Sequence, residues 1–350
     1  MPRLSVSPRS CLALCLATLL ASACASSATT VGDPRPAPLL GPAPAEHLAA
    51  DSVSLLRSGA PTFAQLQLLI DGARLTLHIE MYEFNNAALV VAVLAAHARG
   101  VGVTVIDDPS EVTSNATAQQ LRGAGIDVVD YPVRRLMIDH VKLLVVDDTV
   151  AVVGGINWGS SSPANHDYDA LIRGPAVANL DRVFLRDLVT CGRAVTVPAA
   201  VTDAAITVAA TLPAAEIRPL ALQMINAARR TLRLELFVLT DTGVVHALEA
   251  ARLRGVDVRL LLDPSQHSSD PSYQALLAAG VPLRWYRSHG ELLHAKAIVA
   301  DGTSVLFGSA NWSGGGFARN HELDIQLPRA PGVAAAMLAQ MSLDWAASPG

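Results

Sequence analysis

Two stretches of the chain share the pattern His-x-Lys-x-x-x-x-Asp: His140-Val-Lys142-Leu-Leu-Val-Val-Asp147 and His294-Ala-Lys296-Ala-Ile-Val-Ala-Asp301. Both are apolar runs that read as strands, where side chains alternate with period two. The His and Lys of each copy therefore project to one face, about 7 Å apart along the strand. An imidazole can attack an electrophile or carry a proton, and an ammonium beside it stabilises negative charge. Lys142 and Lys296 are the only lysines in 350 residues; the other 24 of the 26 basic residues are arginine. A site that takes a compact ammonium where a planar guanidinium served everywhere else has a tight geometric requirement.

Each histidine is followed 17 residues later (157 − 140 and 311 − 294) by an asparagine, in Gly154-Gly155-Ile156-Asn157 and Gly308-Ser309-Ala310-Asn311. The small residues let backbone approach an anion closely. Farther on stand Asp167 and Glu322, acids suited to bonding the far ring nitrogen of a histidine and fixing its tautomer. Two His, two Lys and two Asn form a site with pseudo-twofold symmetry whose natural guest is a phosphodiester. Lysine and asparagine hold its non-bridging oxygens. One imidazole attacks phosphorus to form a phosphohistidine; the other, protonated, supplies the leaving alcohol with a proton and then serves as base for water or an acceptor alcohol. The lysines already supply positive charge, so no metal and no cofactor is expected. Two equivalent imidazoles leave the direction of attack open.

Those residues are positioned by a duplicated frame. Arg74-Leu-Thr-Leu-His-Ile-Glu80-Met-Tyr82 matches Arg229-Arg-Thr-Leu-Arg-Leu-Glu235-Leu-Phe237 at a shift of 155, as do Asp108-Pro-Ser and Asp263-Pro-Ser, and Asn165-His166-Asp167 and Asn320-His321-Glu322. Self-similarity at a fixed shift means two copies of one fold. Periodicity predicts helices over 63–73, 86–99 and 117–123 and strands over 75–82, 101–106 and 126–130, then a hairpin of 140–146 with 150–153. Strands alternating with helices imply an α/β fold with a mainly parallel sheet covered on both faces. The copies are expected over 49–195 and 205–350.

The paired motifs, each followed by the Gly-Gly/Ser-x-Asn element and an acid, resemble the phospholipase D superfamily over roughly residues 50–345, and Leu77-His-Ile-Glu80-Met-Tyr82-Glu-Phe84 resembles a strand of its cardiolipin-synthase-like members. The resemblance implies an αβαβα sandwich in each half, an active site at their interface and catalysis through phosphohistidine, with His140 as nucleophile and His294 as acid. Asp147 and Asp301 complete the catalytic motif but read as turn residues.

Other recurrent residues have plainer readings. Glu80 and Glu235 lie mid-strand among apolar neighbours, so each must meet a cation or line the cleft. His166 and His321 read as structural hydrogen-bonders. His78, His97, His246, His267 and His289 show no metal-ligand spacing. Gly314-Gly315-Gly316 reads as a flexible rim loop, since no Lys-Ser/Thr follows it.

Composition narrows the partners. With 51% hydrophobic and 16% charged residues the chain is globular. Its net charge of −5 provides no global footprint for a polyanion. A phospholipid at a membrane surface is the expected substrate; a nucleic acid is the alternative, with Arg134, Arg135, Arg284 and Arg287 as a local patch, and a non-enzymatic headgroup-binding protein is a third reading. The N-terminus reads as an export signal over 1–23: Arg3 and Arg9 precede the apolar run 11–20, and Ala21-Ser22-Ala23 leads into Cys24, a lipidation candidate. A Pro/Ala/Ser-rich tether over 24–48 follows, so an exported chain, envelope lipoprotein or secreted, is expected. Loss of Cys11 and Cys15 with that signal and lipidation of Cys24 leave Cys191 without a disulfide partner. A duplicated chain can build the site alone, so a monomer suffices.

Overall fold

The computed structural model describes residues 42–56, 58–202, 205–287 and 290–349. The expected export signal, Cys24 and all but the last residues of the expected tether lie outside them. The first half contains strands β1 (Glu46–Leu48), β2 (Asp51–Leu56), β3 (Thr76–Met81), β4 (Gly102–Asp107), β5 (Asp127–Asp130), β6 (Lys142–Val146), β7 (Val150–Gly154), β8 (Asn165–His166) and β9 (Asp169–Arg173). Its helices are α1 (Ala60–Gly72), α2 (Ala87–Ala98), α3 (Asn115–Gly123) and α4 (Ala176–Thr190). The second half repeats this with β10 (Thr207–Ala210), β11 (Thr231–Leu236), β12 (Asp257–Leu262), β13 (Leu283–Trp285), β14 (Leu292–Leu293), β15 (Lys296–Ala300), β16 (Ser304–Gly308) and β17 (Leu323–Leu327). Between and after them run α5 (Ile217–Ala227), α6 (Thr242–Leu253), α7 (Asp270–Ala278), α8 (Gly314–Ala318) and α9 (Pro331–Ala347).

Local chemistry explains the shared boundaries. Asn86 and Asp241, 155 positions apart, cap α2 and α6 by accepting from the amides of Leu89 (3.2 Å) and Val244 (2.9 Å). Asp147, Asp148, Asp301 and Gly302 take left-handed φ of 50°, 54°, 52° and 72°, the twist a tight hairpin turn requires.

The sheets are mixed, where a mainly parallel one was expected. The first runs β1-β2-β9-β7-β6-β3-β4-β5 and the second β10-β17-β16-β15-β11-β12-β13. Among the described residues of these two sheets, only β3-β4-β5 and β11-β12-β13, joined through crossover helices, pair in parallel; the motif strands β6 and β15 lie antiparallel to β3 and β11. A strand that returns through a tight hairpin must run antiparallel, and the hairpins β6–β7 and β15–β16 impose that sense on half of each sheet. Glu46–Leu48, assigned to the tether from sequence, pairs with β2.

One apolar core belongs to both halves. It unites Val145, Val153 and Phe184 with Val299, Phe307 and Met337, so α4 and α9 pack where the inner faces of the sheets meet. Each half has a second core on its outer face, around Ile79 and Leu89 or Leu234 and Leu248. Burial on both faces explains why the strands read as near-continuous apolar runs. The shared core brings the two motif strands together within a single chain.

Candidate active site

The two motif histidines face one another across the junction of the halves, with ring centroids 6.5 Å apart. Each backbone is hung on the opposite half: His140 N donates to the His321 carbonyl (2.8 Å) and His294 N to that of His166 (2.9 Å). The short strands β8 and β14 pair in parallel beside them. The acids cross over as well. His140 Nδ1 bonds Glu322 Oε2 at 2.8 Å, and His294 Nδ1 bonds Asp167 Oδ2 at 2.8 Å. With Nδ1 engaged, Nε2 is the ring nitrogen left to a substrate.

The halves differ in a way that bears on proton placement. His140 Nδ1 also lies 3.0 Å from the Ser309 carbonyl. A carbonyl only accepts, so Nδ1 carries the hydrogen and the lone pair sits on Nε2. Ser309 Oγ further donates to Glu322 Oε2 at 2.7 Å. The corresponding residue beside Asp167 is Gly155, and Asp167 Oδ1 has no hydrogen-bond partner among the described residues.

Lys142 and Lys296 curl back so that each Nζ donates to the carbonyl of its own motif histidine. Each ammonium also lies over an aromatic ring, Tyr82 at 5.2 Å and Phe237 at 5.1 Å, and the same rings sit 5.0 and 4.9 Å from the imidazoles. This pair is equivalent at the shift of 155, a signal the sequence held and the motif reading passed over. Asn157 is buried and Asn311 half-buried, each with a buried Oδ1 that is unpaired among the described residues; neither bonds a motif histidine there.

Burial dominates the electrostatics. It holds the His140 imidazole well below its ordinary range, helped by the charges of Lys142 and Lys296. His294 is lowered by burial and Lys296, against the pull of Asp167. Burial pushes Lys142 down to about 7, opposed by Glu322, and Lys296 to about 8, opposed by Asp167. The acids diverge: burial raises Glu322 to about 7, whereas for Asp167 the raising effect of burial is overcome by His294 and Lys296, which keep it low. An arriving phosphodiester anion favours the charged form of both lysines.

Asp147 and Asp301 stand apart from this centre. They end their strands about 17 Å beyond the lysines, from the rise per strand residue. There each carboxylate accepts backbone hydrogens from three residues that begin the neighbouring strand, Arg74, Leu75 and Thr76 or Arg229, Arg230 and Thr231. That geometry fits turn residues. Glu80 and Glu235 do not pair with the motif lysines either. Glu80 Oε1 lies 3.6 Å from His321 Nε2, and Glu235 Oε2 bonds His166 Nε2 at 2.9 Å. Asp187 and Asp344, which complete those two clusters, went unnoticed in the sequence because α4 and α9 were not read as elements.

Gly314–Ala318, expected as a loose rim loop, is the short helix α8, capped by Ser313 Oγ accepting from Gly316 N at 3.1 Å. A Cβ on Gly316 would fall on the Asn311 carbonyl oxygen and 2.8 Å from its nitrogen. Gly316→Ala is therefore expected to displace Asn311 and lower kcat roughly 10- to 100-fold, the scale of an ångström-sized misplacement, while circular dichroism shows a folded protein.

Comparison with known proteins accords with this architecture. A family model described as cardiolipin synthase, PLD-like domain, matches residues 66–188 and 221–345. Cardiolipin synthase of Geobacillus kaustophilus is 30% identical over 315 residues, covering 79% of this chain and 62% of that protein. Cardiolipin synthase A of Pseudomonas putida is 29% identical over 328 residues, covering 83% and 67%. The chain thus spans less than two thirds of the Geobacillus relative. The crystal structure of phosphatidylserine synthase from Haemophilus influenzae shares the fold, with a TM-score of 0.62 at 12% identity over 87% of each chain. These relatives overturn the expectation of an exported chain: they are cardiolipin synthases, and neither is named as an envelope lipoprotein or a secreted protein. No helix among the described residues is long and apolar enough to cross a membrane. Two matched repeats, closing one crossed histidine site, make the chain a member of the phospholipase D superfamily with two copies of its PLD-like domain.

Proposed function

We propose that the chain is a phosphatidyltransferase acting on phospholipids through a phosphohistidine. The observation that carries this reading is the crossed pair of imidazoles 6.5 Å apart, each flanked by its own lysine. The cardiolipin synthases among its relatives favour a phospholipid as the diester.

His140 is the better nucleophile, because the Ser309 carbonyl keeps its hydrogen on Nδ1 and burial disfavours its protonation. His294 is the better acid, because the low-lying carboxylate of Asp167 stabilises an imidazolium. In the first half-reaction His140 Nε2 bonds phosphorus, the P–O bond to the headgroup breaks, and the leaving alkoxide takes the His294 proton. In the second, neutral His294 takes a proton from an acceptor alcohol whose oxygen attacks phosphorus, and the P–N bond to His140 breaks. Lys142 and Lys296 hold the non-bridging oxygens as negative charge gathers there. Asn157 and Asn311 follow β7 and β16, the strands paired with the two motif strands, and are assigned to the same oxygens.

The test is incubation of the purified chain, without added divalent metal, with vesicles of labelled phosphatidylglycerol and in parallel with plasmid DNA. Labelled cardiolipin with release of glycerol is the expected result. Release of glycerol with phosphatidic acid alone would restrict the reading to hydrolysis. Nicked plasmid with unchanged lipid, or inertness in both arms, would overturn it.

A further inference from the structure

Behind each motif histidine lies a buried cluster that the reaction above does not use. His321 meets Asp187 of α4 and Glu80 of β3; His166 meets Asp344 of α9 and Glu235 of β11. In each cluster the three candidate ligand atoms lie within 4.8 Å of one another. Each histidine comes from the opposite half to its acids, and each ring stacks on a tyrosine, Tyr131 at 5.1 Å or Tyr286 at 6.0 Å. The duplication therefore produced the same His-Glu-Asp constellation twice.

The two copies are not equally satisfied. Glu235 Oε2 accepts from Tyr168 Oη at 2.7 Å as well as from His166 Nε2 at 2.9 Å, which leaves only its Oε1 unpaired among the described residues. At the position equivalent to Tyr168, two residues after His321, the chain has Leu323, which offers no hydroxyl. Glu80 is fully buried, and neither of its oxygens makes a hydrogen bond among the described residues; Oε1 points at His321 Nε2 from 3.6 Å. His321 Nε2 is committed to Asp187 Oδ2 at 2.9 Å. Asp139 adds a third carboxyl beside this cluster, with Oδ2 also unpaired, and Arg186 reaches only the far oxygen of Asp187, at 3.6 Å. Burial, followed by the charges of Asp139 and Asp187, holds the Glu80 carboxyl well above its usual range. An orphan buried carboxyl among like charges is costly unless a cation accompanies it.

We propose that Glu80, Asp187 and His321 bind one divalent first-row metal ion, Zn²⁺ or Mn²⁺, in a structural site tying the two halves together, and that the twin cluster, whose Glu235 is held by both Tyr168 and His166, binds none. One imidazole nitrogen with two carboxylate oxygens is a donor set both ions accept. The ion takes the place of the proton between His321 Nε2 and Asp187 Oδ2 and of any proton on Glu80, so each molecule that takes up metal releases at least one proton.

The test uses the full chain, stripped with a chelator, reloaded with ZnCl₂ or MnCl₂, freed of excess ion and assayed for metal by mass spectrometry. Wild type and Glu235→Gln are expected to retain one equivalent and to unfold at a higher temperature when loaded; Glu80→Gln is expected to retain none and to show no such rise. Should Glu80→Gln fail to fold, one equivalent in wild type accompanied by proton release in unbuffered titration still supports the site. Wild type with no metal above the buffer blank, or equal loading of wild type and Glu80→Gln, would overturn it. These readouts do not depend on turnover, so they stand or fall apart from the phosphatidyltransferase reading.

Discussion

His140→Ala and His294→Ala are each expected to lower kcat for phosphatidyl transfer by at least ~10⁴-fold, the scale seen when one member of a coupled nucleophile–base unit is removed. The two losses differ in kind. On the proposed scheme no bond to phosphorus forms without His140, and no substrate is expected to rescue that variant. Without His294 the nucleophile remains, and the missing function is protonation of the leaving oxygen. A phosphodiester whose leaving group departs as a stable anion, such as a nitrophenolate, bypasses that need. His294→Ala should therefore give a burst of nitrophenolate and accumulate a phosphoryl adduct on His140, because the general base for the second step is absent too. Acid-labile, base-stable label mapped to the peptide bearing residue 140 is the readout. Adduct on residue 294 in His140→Ala, with none in His294→Ala, would reverse the assignment; near-normal turnover in either variant would remove the two-histidine scheme. The direction rests on the Ser309 carbonyl that faces His140 Nδ1 and on the low-lying carboxylate of Asp167 beside His294.

Much of this centre was legible in the residues. Duplication is a comparison of the chain with itself, and the His-x-Lys spacing determines which side chains share a strand face, so the two halves, the motif strands and the acids Asp167 and Glu322 could be named before any coordinates. The crossing of those acids could not. Glu322 lies 182 residues from His140, and no local pattern records which half supplies the partner. The same blindness hid the His321–Asp187 and His166–Asp344 clusters, whose members come from β-strand termini and from α4 and α9. Glu80 and Glu235, mid-strand acids among apolar residues, are expected to meet a cation or line the cleft; what each faces is a histidine from the other repeat, bonded to Glu235 and 3.6 Å from Glu80. The mainly parallel sheet failed for a different reason: alternation of helices and strands in the first part of each half says nothing of the hairpin and return strand that follow.

Asp167→Asn should be the most damaging substitution outside the histidines and lysines, while Glu322→Gln should cost far less. The crossed geometry makes the two acids look equivalent, but their surroundings separate them. Asp167 is held in its ionised form by His294 and Lys296 despite complete burial, and its second oxygen has no competing donor. Its charge is thus available to stabilise the imidazolium that must protonate the leaving alcohol. An asparagine removes that charge and offers an N–H that can turn the ring to the wrong tautomer, a change expected to lower kcat by ~10³- to 10⁴-fold. Glu322 is pushed up to about 7 by burial, is already shared with Ser309 and Asn320, and faces a histidine whose tautomer the Ser309 carbonyl also specifies. A glutamine there keeps an acceptor for Nδ1, and a loss of roughly 10- to 100-fold is expected. The pH profile distinguishes this from a general loss of structure. A neighbouring carboxylate raises a histidine's pKa, so removing Asp167 lowers that of His294, and the alkaline limb of kcat/KM, set by loss of the acid's proton, should move to lower pH. Glu322→Gln should leave that limb in place. An activated leaving group should restore much of the first-step rate in Asp167→Asn and little in Glu322→Gln; equal rescue of both, or an unmoved limb in Asp167→Asn, would mean that the two histidines do not divide the work as proposed.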